Sequence, residues 1–130
     1  MGPSYLLDTN TVIYYLHGRL PEKSAAILDE YINVEINLSI ISKIELLCWN
    51  TDSISDYRVL ETFIDESVIW ELGANVVNET IEIRKKHRLK LPDAIIAATA
   101  RVHEFILITR NTSDFARIPN LQLLDPFQLA

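Results

Sequence analysis

The sequence predicts a single α/β domain, with a mostly parallel central sheet of four to five strands and helices on both of its faces. Short apolar segments that suit buried strands alternate with longer segments of helical periodicity. The 130 residues are about the length of one domain, and 48% of them are hydrophobic, enough to fill a core. No repeat or long linker divides the sequence, so we expect one domain over residues 1–130, joined by right-handed crossovers.

The first elements of the chain alternate between strand and helix. Ser4–Leu7 is an apolar run that predicts a buried strand. Asp8 can cap a helix that begins directly after it and stops at Gly18. Pro21 suits the first turn of a second helix, and Val34–Leu38 alternates apolar and polar residues as a strand does.

The middle of the chain is predicted to be mainly helical. Apolar side chains recur there every three or four residues, the spacing that places them on one face of a helix. The predicted elements are, in order, helix Ser39–Trp49, helix Ile54–Glu66, strand Val68–Leu72 and helix Ala74–His87.

The last third of the chain holds the clearest strand. The helix Leu91–Glu104 opens with Pro92, whose missing N–H has no cost in a first turn. It leads into Phe105–Thr109, an apolar run that predicts a buried strand. Arg110–Asp114 has the composition of a polar loop, and Leu121–Leu124 predicts a last short strand.

Three Asp residues stand at the ends of these predicted elements. Asp8 follows the first strand, and Asp114 lies in the loop after Thr109. In parallel sheets ligands bind beyond the carboxyl ends of the strands, which is where both residues fall. Asp93 lies in the first turn of its helix, where the helix dipole favours a carboxylate. Each residue taken alone is more often a cap or a turn residue than a ligand.

Glu45 is the fourth candidate, because helical spacing puts it in line with Ile41, Cys48 and Trp49. An acid on an apolar face is unfavourable unless it is paired, hydrogen-bonded or bound to a metal. An exposed Glu paired with a nearby Lys explains this residue alone equally well. Like carboxylates that share a site need a cation to stay ionised together, and oxygen ligands without His or Cys favour Mg²⁺ or Mn²⁺.

Composition limits the kinds of partner that the protein can have. The formal net charge of −6 argues against broad electrostatic adhesion to nucleic acid but allows a local basic groove. The dense basic segment Arg84–Lys90 precedes the Asp93 helix, and it is either such a groove or a solvated helix end. The candidate contacts to an RNA backbone are Lys85, Lys86, Arg88, Lys90 and Arg110.

Cys48 is the only cysteine, so no internal disulfide can form, and we expect it to be a small core residue. No apolar run approaches the ~18 residues that suggest a membrane span, and no secretory signal is present. We therefore expect a cytoplasmic protein that does not interact with membranes.

Four segments resemble the four motifs of PIN-domain ribonucleases, most closely those of the VapC toxins of toxin–antitoxin pairs. In chain order they are Leu6–Asn10, Ser42–Leu46, Leu91–Ala97 and Thr109–Phe115. The resemblance runs along the whole chain to the closing Leu123–Phe127. Four acidic motifs with matching flanks are a far more specific signal than any one of them.

The resemblance implies a PIN fold and an acidic site that binds Mg²⁺ or Mn²⁺ and hydrolyses RNA phosphodiester bonds, as in structured RNA such as tRNA or rRNA. The acidic positions match Asp8, Glu45, Asp93 and Asp114. Asp8 and Asp93 are expected to bind the metal directly, and the other two directly or through water. The polar positions beside them match Thr9, Asn10, Thr109 and Asn111. It also implies a cognate VapB-type antitoxin and a homodimer.

Three other interpretations remain open from the sequence. The protein could be a PIN nuclease of RNA maturation without an antitoxin, or a non-catalytic PIN-like binding module. A receiver-like phospho-acceptor domain fits the strand-end Asp8 loosely. That class also needs a second acid beside the N-terminal one, and the sequence has none there.

Overall fold

The computed structural model describes residues 2–49 and 52–130. Within them, five strands form one sheet in which every neighbouring pair is parallel, in the order β3-β2-β1-β4-β5. The strands are β1 (Tyr5–Leu7), β2 (Asn37–Ser39), β3 (Val68–Trp70), β4 (Ile106–Ile108) and β5 (Leu123–Leu124). The predicted α/β class and the predicted sheet are confirmed.

Seven helices connect these strands within the described residues. They are α1 (Thr9–Leu16), α2 (Glu22–Val34), α3 (Ile40–Leu47), α4 (Ile54–Asp65), α5 (Ala74–Lys86), α6 (Leu91–Val102) and α7 (Thr112–Phe115). None of the helices in the described part of the chain is long and apolar enough to cross a membrane.

The helices cover both faces of the sheet, as predicted. Leu6 of β1 and Leu107 of β4 belong to a core formed with α5 and α6. Leu7 and Ile108, the next residue of each strand, belong to a second core formed with α1, α2 and α4. Successive side chains of a strand point to opposite faces, so a three-residue strand contributes to both cores.

The second strand is shorter than predicted and begins later. Helix α2 continues through Val34, and β2 begins only at Asn37. The side chain of Val34 is 88% exposed, so it ends the helix without packing against the sheet. Asn37 itself is buried: its amide donates to the Tyr5 carbonyl at 3.0 Å and accepts from the Trp70 indole at 3.0 Å.

Two further predictions about local structure were wrong. The segment predicted as a polar loop contains helix α7, a single turn anchored by the fully buried Phe115. Helix α3 is shorter than predicted, since Ser39 ends β2 and caps the helix, which stops at Leu47. Cys48 follows as the C-cap residue and is exposed instead of lying in the core.

The strand order reverses beside β1, which lies between β2 on one side and β4 on the other. Such a reversal in a doubly wound sheet opens a crevice at the carboxyl ends of the two central strands. The backbone N–H of Asp8, directly after β1, donates to the Ile108 carbonyl at the end of β4 at 3.1 Å. Asp8 and the residues after β4 therefore meet at this crevice.

Candidate active site

Asp8 lies at the centre of the crevice and is the most constrained of the candidate acids. It is 8% exposed and caps α1. One carboxylate oxygen accepts the backbone N–H of Thr9 at 2.8 Å, and the other accepts the hydroxyl of Thr109 at 2.8 Å. Because each oxygen has its own donor, the orientation of the carboxylate is fixed by the start of α1 and by the residue that follows β4.

Thr9 links Asp8 to the second acidic segment. Its hydroxyl donates to Glu45 Oε1 at 2.7 Å and lies 2.9 Å from the hydroxyl oxygen of Ser42. Glu45 is exposed, so it lies at the crevice and not on a buried apolar face as its helical spacing suggested. The α3 residues Ser42 and Glu45 are one turn apart and therefore reach the same hydroxyl.

Asp114 is connected to Asp8 through two side chains of the same loop. The Thr109 hydroxyl that donates to Asp8 accepts the backbone N–H of Asn111 at 3.1 Å. The Asn111 amide in turn donates to Asp114 Oδ2 at 2.8 Å. Helix α7 begins at Thr112, directly after Asn111, and presents Asp114 in its first turn.

Asp93 stands in the first turn of α6, as predicted, with Pro92 before it. Burial raises the pKa of Asp93 above its ordinary value, and the charges of Asp8, Glu45 and Asp114 raise it further. Lys90, which caps the helix, lowers it. The charges of the three other acids therefore all act on Asp93, although burial is the largest cause of its raised pKa.

The charge on Asp8 is also destabilised by its surroundings. Burial raises its pKa, and the nearby charge of Glu45 raises it too. The hydrogen bonds from Thr109 and Thr9 act in the opposite direction, but the pKa remains raised. Burial, more than the charge of Glu45, is therefore what disfavours the ionised form of Asp8.

The donors of this crevice fit Mg²⁺ or Mn²⁺ by their chemistry. All four are carboxylates, the ligands that hard divalent cations prefer, and their mutual repulsion is what a bound cation would relieve. Among residues 2–49 and 52–130, no three His, Cys, Asp or Glu side chains are gathered closely enough to hold an ion as they stand. The residues available to hold one are Asp8, Glu45, Asp93 and Asp114.

Ser42 is not among the site residues predicted from the sequence. Asn10 is predicted beside the acids, but it makes no hydrogen bond with them in the described structure. Ser42 is fully buried against Thr9, and its position three residues before Glu45 on one helix was the signal that could have found it. Asn10 is exposed, and its side chain makes no hydrogen bond with any other described residue.

The lysine and arginine side chains just before α6 are all exposed, but only some of them line a common cleft. Arg84, His87, Arg88 and Lys90 line a cleft just before α6, together with Leu89. Lys85 lies outside this cleft and pairs with Glu82 at 3.8 Å, and Lys86 is exposed nearby. The guanidinium carbon of Arg110, in the loop after β4, lies 3.9 Å from the ring centre of Phe127.

The family model of the PIN domain matches residues 5–121. The chain belongs to the PIN domain family. PIN domains are nucleases, and the match includes all four candidate acids of this one. No curated protein sequence matches this PIN domain.

Solved structures similar to this PIN domain include three that are more than 25% identical to it. A toxin–antitoxin complex from Klebsiella pneumoniae is 28% identical, with a TM-score of 0.75 over 97% of this chain and 100% of that one. VapBC2 from Rickettsia felis, bound to a promoter DNA fragment, is 26% identical, with a TM-score of 0.78 over 92% and 96%. FitAcB from Neisseria gonorrhoeae is 26% identical, with a TM-score of 0.76 over 96% and 99%.

Proposed function

We propose that this PIN domain is a divalent-metal-dependent endoribonuclease and the toxin of a toxin–antitoxin pair. It would hydrolyse phosphodiester bonds of structured RNA such as tRNA or rRNA in the cytoplasm. The observation that carries the proposal is the hydrogen-bond chain that links three acids from separate motifs at the edge where α/β sheets bind ligands. It runs from Glu45 through Thr9 to Asp8, and from Asp8 through Thr109 and Asn111 to Asp114. A bound cation would stabilise carboxylates held together in this way.

Asp8 and Asp93 are proposed to hold the metal directly, with Glu45 and Asp114 as direct or water-mediated ligands. When bound, Mg²⁺ or Mn²⁺ supplies an activated water and stabilises charge on the scissile phosphate. Thr109 and Thr9 orient Asp8, and Asn111 orients Asp114, through the hydrogen bonds described above. These polar side chains fix the ligand oxygens, which is the usual work of the residues surrounding metal ligands.

The basic cleft is the proposed approach of the RNA backbone to the acids. Lys90 is near enough to Asp93 to lower its pKa, so the cleft and the carboxylates adjoin. Arg84, Arg88 and Lys90 form no ion pair with any described carboxylate, which leaves their charges available to phosphates. In an acidic protein, a local cluster of this kind is what nucleic-acid binding needs.

A VapB-type antitoxin is the proposed protein partner, and a homodimer the proposed assembly. The similar structures from Klebsiella and Rickettsia are described as a toxin–antitoxin complex and as VapBC2. Co-expression with the small reading frame beside the gene tests this proposal. A stable complex that suppresses RNA cleavage would support a toxin. Cleavage with no inhibitory partner would favour a nuclease of RNA maturation.

Cleavage of total RNA by the purified protein tests the enzymatic proposal. We expect discrete fragments with Mn²⁺ or Mg²⁺ and none with EDTA. Asp93→Asn should reduce the rate more than about 100-fold, since loss of a metal ligand exceeds the effect of changing its neighbours. Asp65→Asn, an exposed acid at the end of α4, is the matched control and should cleave normally. Cleavage that persists in EDTA or in Asp93→Asn would contradict the mechanism.

A further inference from the structure

Arg110 is held in an unusual way for an exposed arginine. Its guanidinium carbon lies 3.9 Å from the ring centre of Phe127 and 5.8 Å from that of Tyr14, and the two rings pack edge to face at 5.2 Å. Stacking on aromatic rings attracts a guanidinium through its face and leaves the N–H donors at its edge free. The two rings therefore restrict the position of the guanidinium but do not neutralise its charge.

The aromatic support is itself anchored. Phe127 follows Asp125, whose carboxylate accepts the Phe127 backbone N–H at 2.9 Å. The next turn is tied down because the Leu129 N–H donates to the buried Ser24 hydroxyl at 3.2 Å, and Leu129 itself is buried. Tyr14 lies on α1, the helix that Asp8 caps. The stack is thus built on elements that also position the site.

No described acceptor uses the donors of Arg110. The guanidinium makes no hydrogen bond and no ion pair within residues 2–49 and 52–130. The side chains of its two neighbours in sequence already have acceptors, since Thr109 donates to Asp8 and Asn111 donates to Asp114. Arg110 therefore presents a positioned guanidinium whose N–H donors bind no described residue. It lies between Thr109 and Asn111, which hydrogen-bond to two of the four acids.

Arg110 and the basic cleft are associated with opposite faces of the sheet. Tyr14 and Phe127 pack against the core on the α1 and α2 face of the sheet. The cleft of Arg84, Arg88 and Lys90 joins α5 to α6, whose core lies on the opposite face. The aromatic partners of Arg110 and the basic cleft therefore belong to opposite faces of the sheet, and Asp8 and Asp114 follow strands β1 and β4 at its carboxyl edge.

We propose that the RNA strand crosses the carboxyl edge of the sheet from the basic cleft to Arg110, which binds a phosphate on the far side of the cleavage position. Tyr14 and Phe127 are positioning residues that hold the guanidinium for this contact. The inference rests on the proposed ribonuclease function and adds the path of the substrate. An arginine ordered before binding loses little freedom when it meets a phosphate.

Binding of a fluorescein-labelled single-stranded RNA of mixed sequence, about 12 nucleotides long, tests this path in an Asp93→Asn background. Each phosphate contact to single-stranded RNA contributes about 0.7 to the slope of log affinity against log salt. Arg110→Gln should lower the affinity and reduce this slope by about 0.7. Arg19→Gln makes the same charge change beyond the far end of α1 and should leave the slope unchanged.

The aromatic residues are tested by variants that keep the charge. Phe127→Leu should weaken RNA binding although Arg110 remains, and Phe127→Tyr, which keeps a ring, should restore it. A lower Tm of Arg110→Gln with an RNA affinity and salt slope equal to those of Arg19→Gln would overturn the proposal and leave a structural stack. If neither the Asp93→Asn protein nor the wild type in EDTA binds RNA, and the wild type with Mn²⁺ cleaves none, the ribonuclease function fails and the path fails with it. Binding that is independent of Arg110 removes only the path.

Discussion

Asp93 is an acid whose ionised form is disfavoured in the folded protein. Its raised pKa means that the folded state binds a proton more tightly than the unfolded chain does. The resulting stability is complete below the ordinary value of 3.8 and is lost as the pH rises through the raised pKa. Without metal, the free energy of unfolding should therefore decrease over this window as pH rises.

Asp93→Asn removes the charge, so it should make the metal-free protein more stable at neutral pH and flatten this pH dependence. Urea unfolding in EDTA between about pH 4 and about pH 8 measures both effects. Mn²⁺ should raise the Tm of the wild type and not that of the variant, because a ligand of the folded state alone stabilises it. A variant less stable than the wild type in EDTA would contradict the repulsion inferred for the site.

Thr109 supplies a hydroxyl to a buried carboxylate, and its loss should be felt in stability as well as activity. Thr109→Val keeps the shape but leaves one oxygen of Asp8 without its donor. Hydrogen bonds to charged groups contribute about 1.5–3 kcal/mol, so we expect a destabilisation of that order. Thr109→Ser keeps the hydroxyl and should recover most of it. Equal urea midpoints for the Val and Ser variants would show that the hydrogen bond has no net effect.

At the scale of elements, a hydrogen-bonded side-chain pair formed by the buried Asn37 and the partly buried Trp70 ties three strands together. Trp70 of β3 donates to Asn37 of β2, which donates to the Tyr5 carbonyl of β1. Trp70→Phe keeps a ring and removes the donor, so it should destabilise the protein by about 1–3 kcal/mol. Trp49→Phe is the control, because the Trp49 indole donates to no described residue. Equal losses in the two variants, measured by urea unfolding, would mean that ring size and not the hydrogen bond matters.

The strands and helices that the sequence predicted accurately are those whose apolar side chains are buried on the face that their pattern indicates. Strand β4 and helix α6 are apolar in the pattern that their packing requires. Val34 misled the prediction of β2 because alternation with Ile36 and Leu38 is the same whether or not Val34 is buried. Sequence periodicity did not reveal α7, because one turn of helix is too short to show a repeat. Its formation depends on the burial of Phe115 in the core.

Asp8 and Asp114 could be expected at the same edge because the strand ends of a parallel sheet converge there, and the structure links them through Thr109 and Asn111. The sequence left open whether Glu45 is buried or exposed, and it is exposed because α3 stops at Leu47 and the apolar line through Cys48 is never completed. The stack of Arg110 on Phe127 joins two separate loops, and neither has a hydrophobic periodicity from which the contact could be predicted. Only the folded chain reveals it.

For the whole molecule, the contrast between a net charge of −6 and a local basic cleft predicts strongly salt-dependent RNA binding. Arg84→Gln and Arg88→Gln should each reduce the salt slope by about 0.7 for single-stranded RNA. Lys85→Gln makes the same charge change on the same helix, where Lys85 pairs with Glu82 outside the cleft, and should reduce it less. Equal slopes for the three variants would show that the cleft has no special role.

The central pairing of the sheet joins residues from the two ends of the chain. Leu6 pairs with Leu107, and the contact of Asp8 with Thr109 depends on that pairing. During synthesis, 101 residues separate the emergence of Asp8 from that of Thr109, whose hydroxyl binds it. A nascent or truncated chain that ends before Ile106 lacks β4 and cannot assemble the crevice. An amino-terminal fragment without β4 should therefore lack any activity that depends on this crevice.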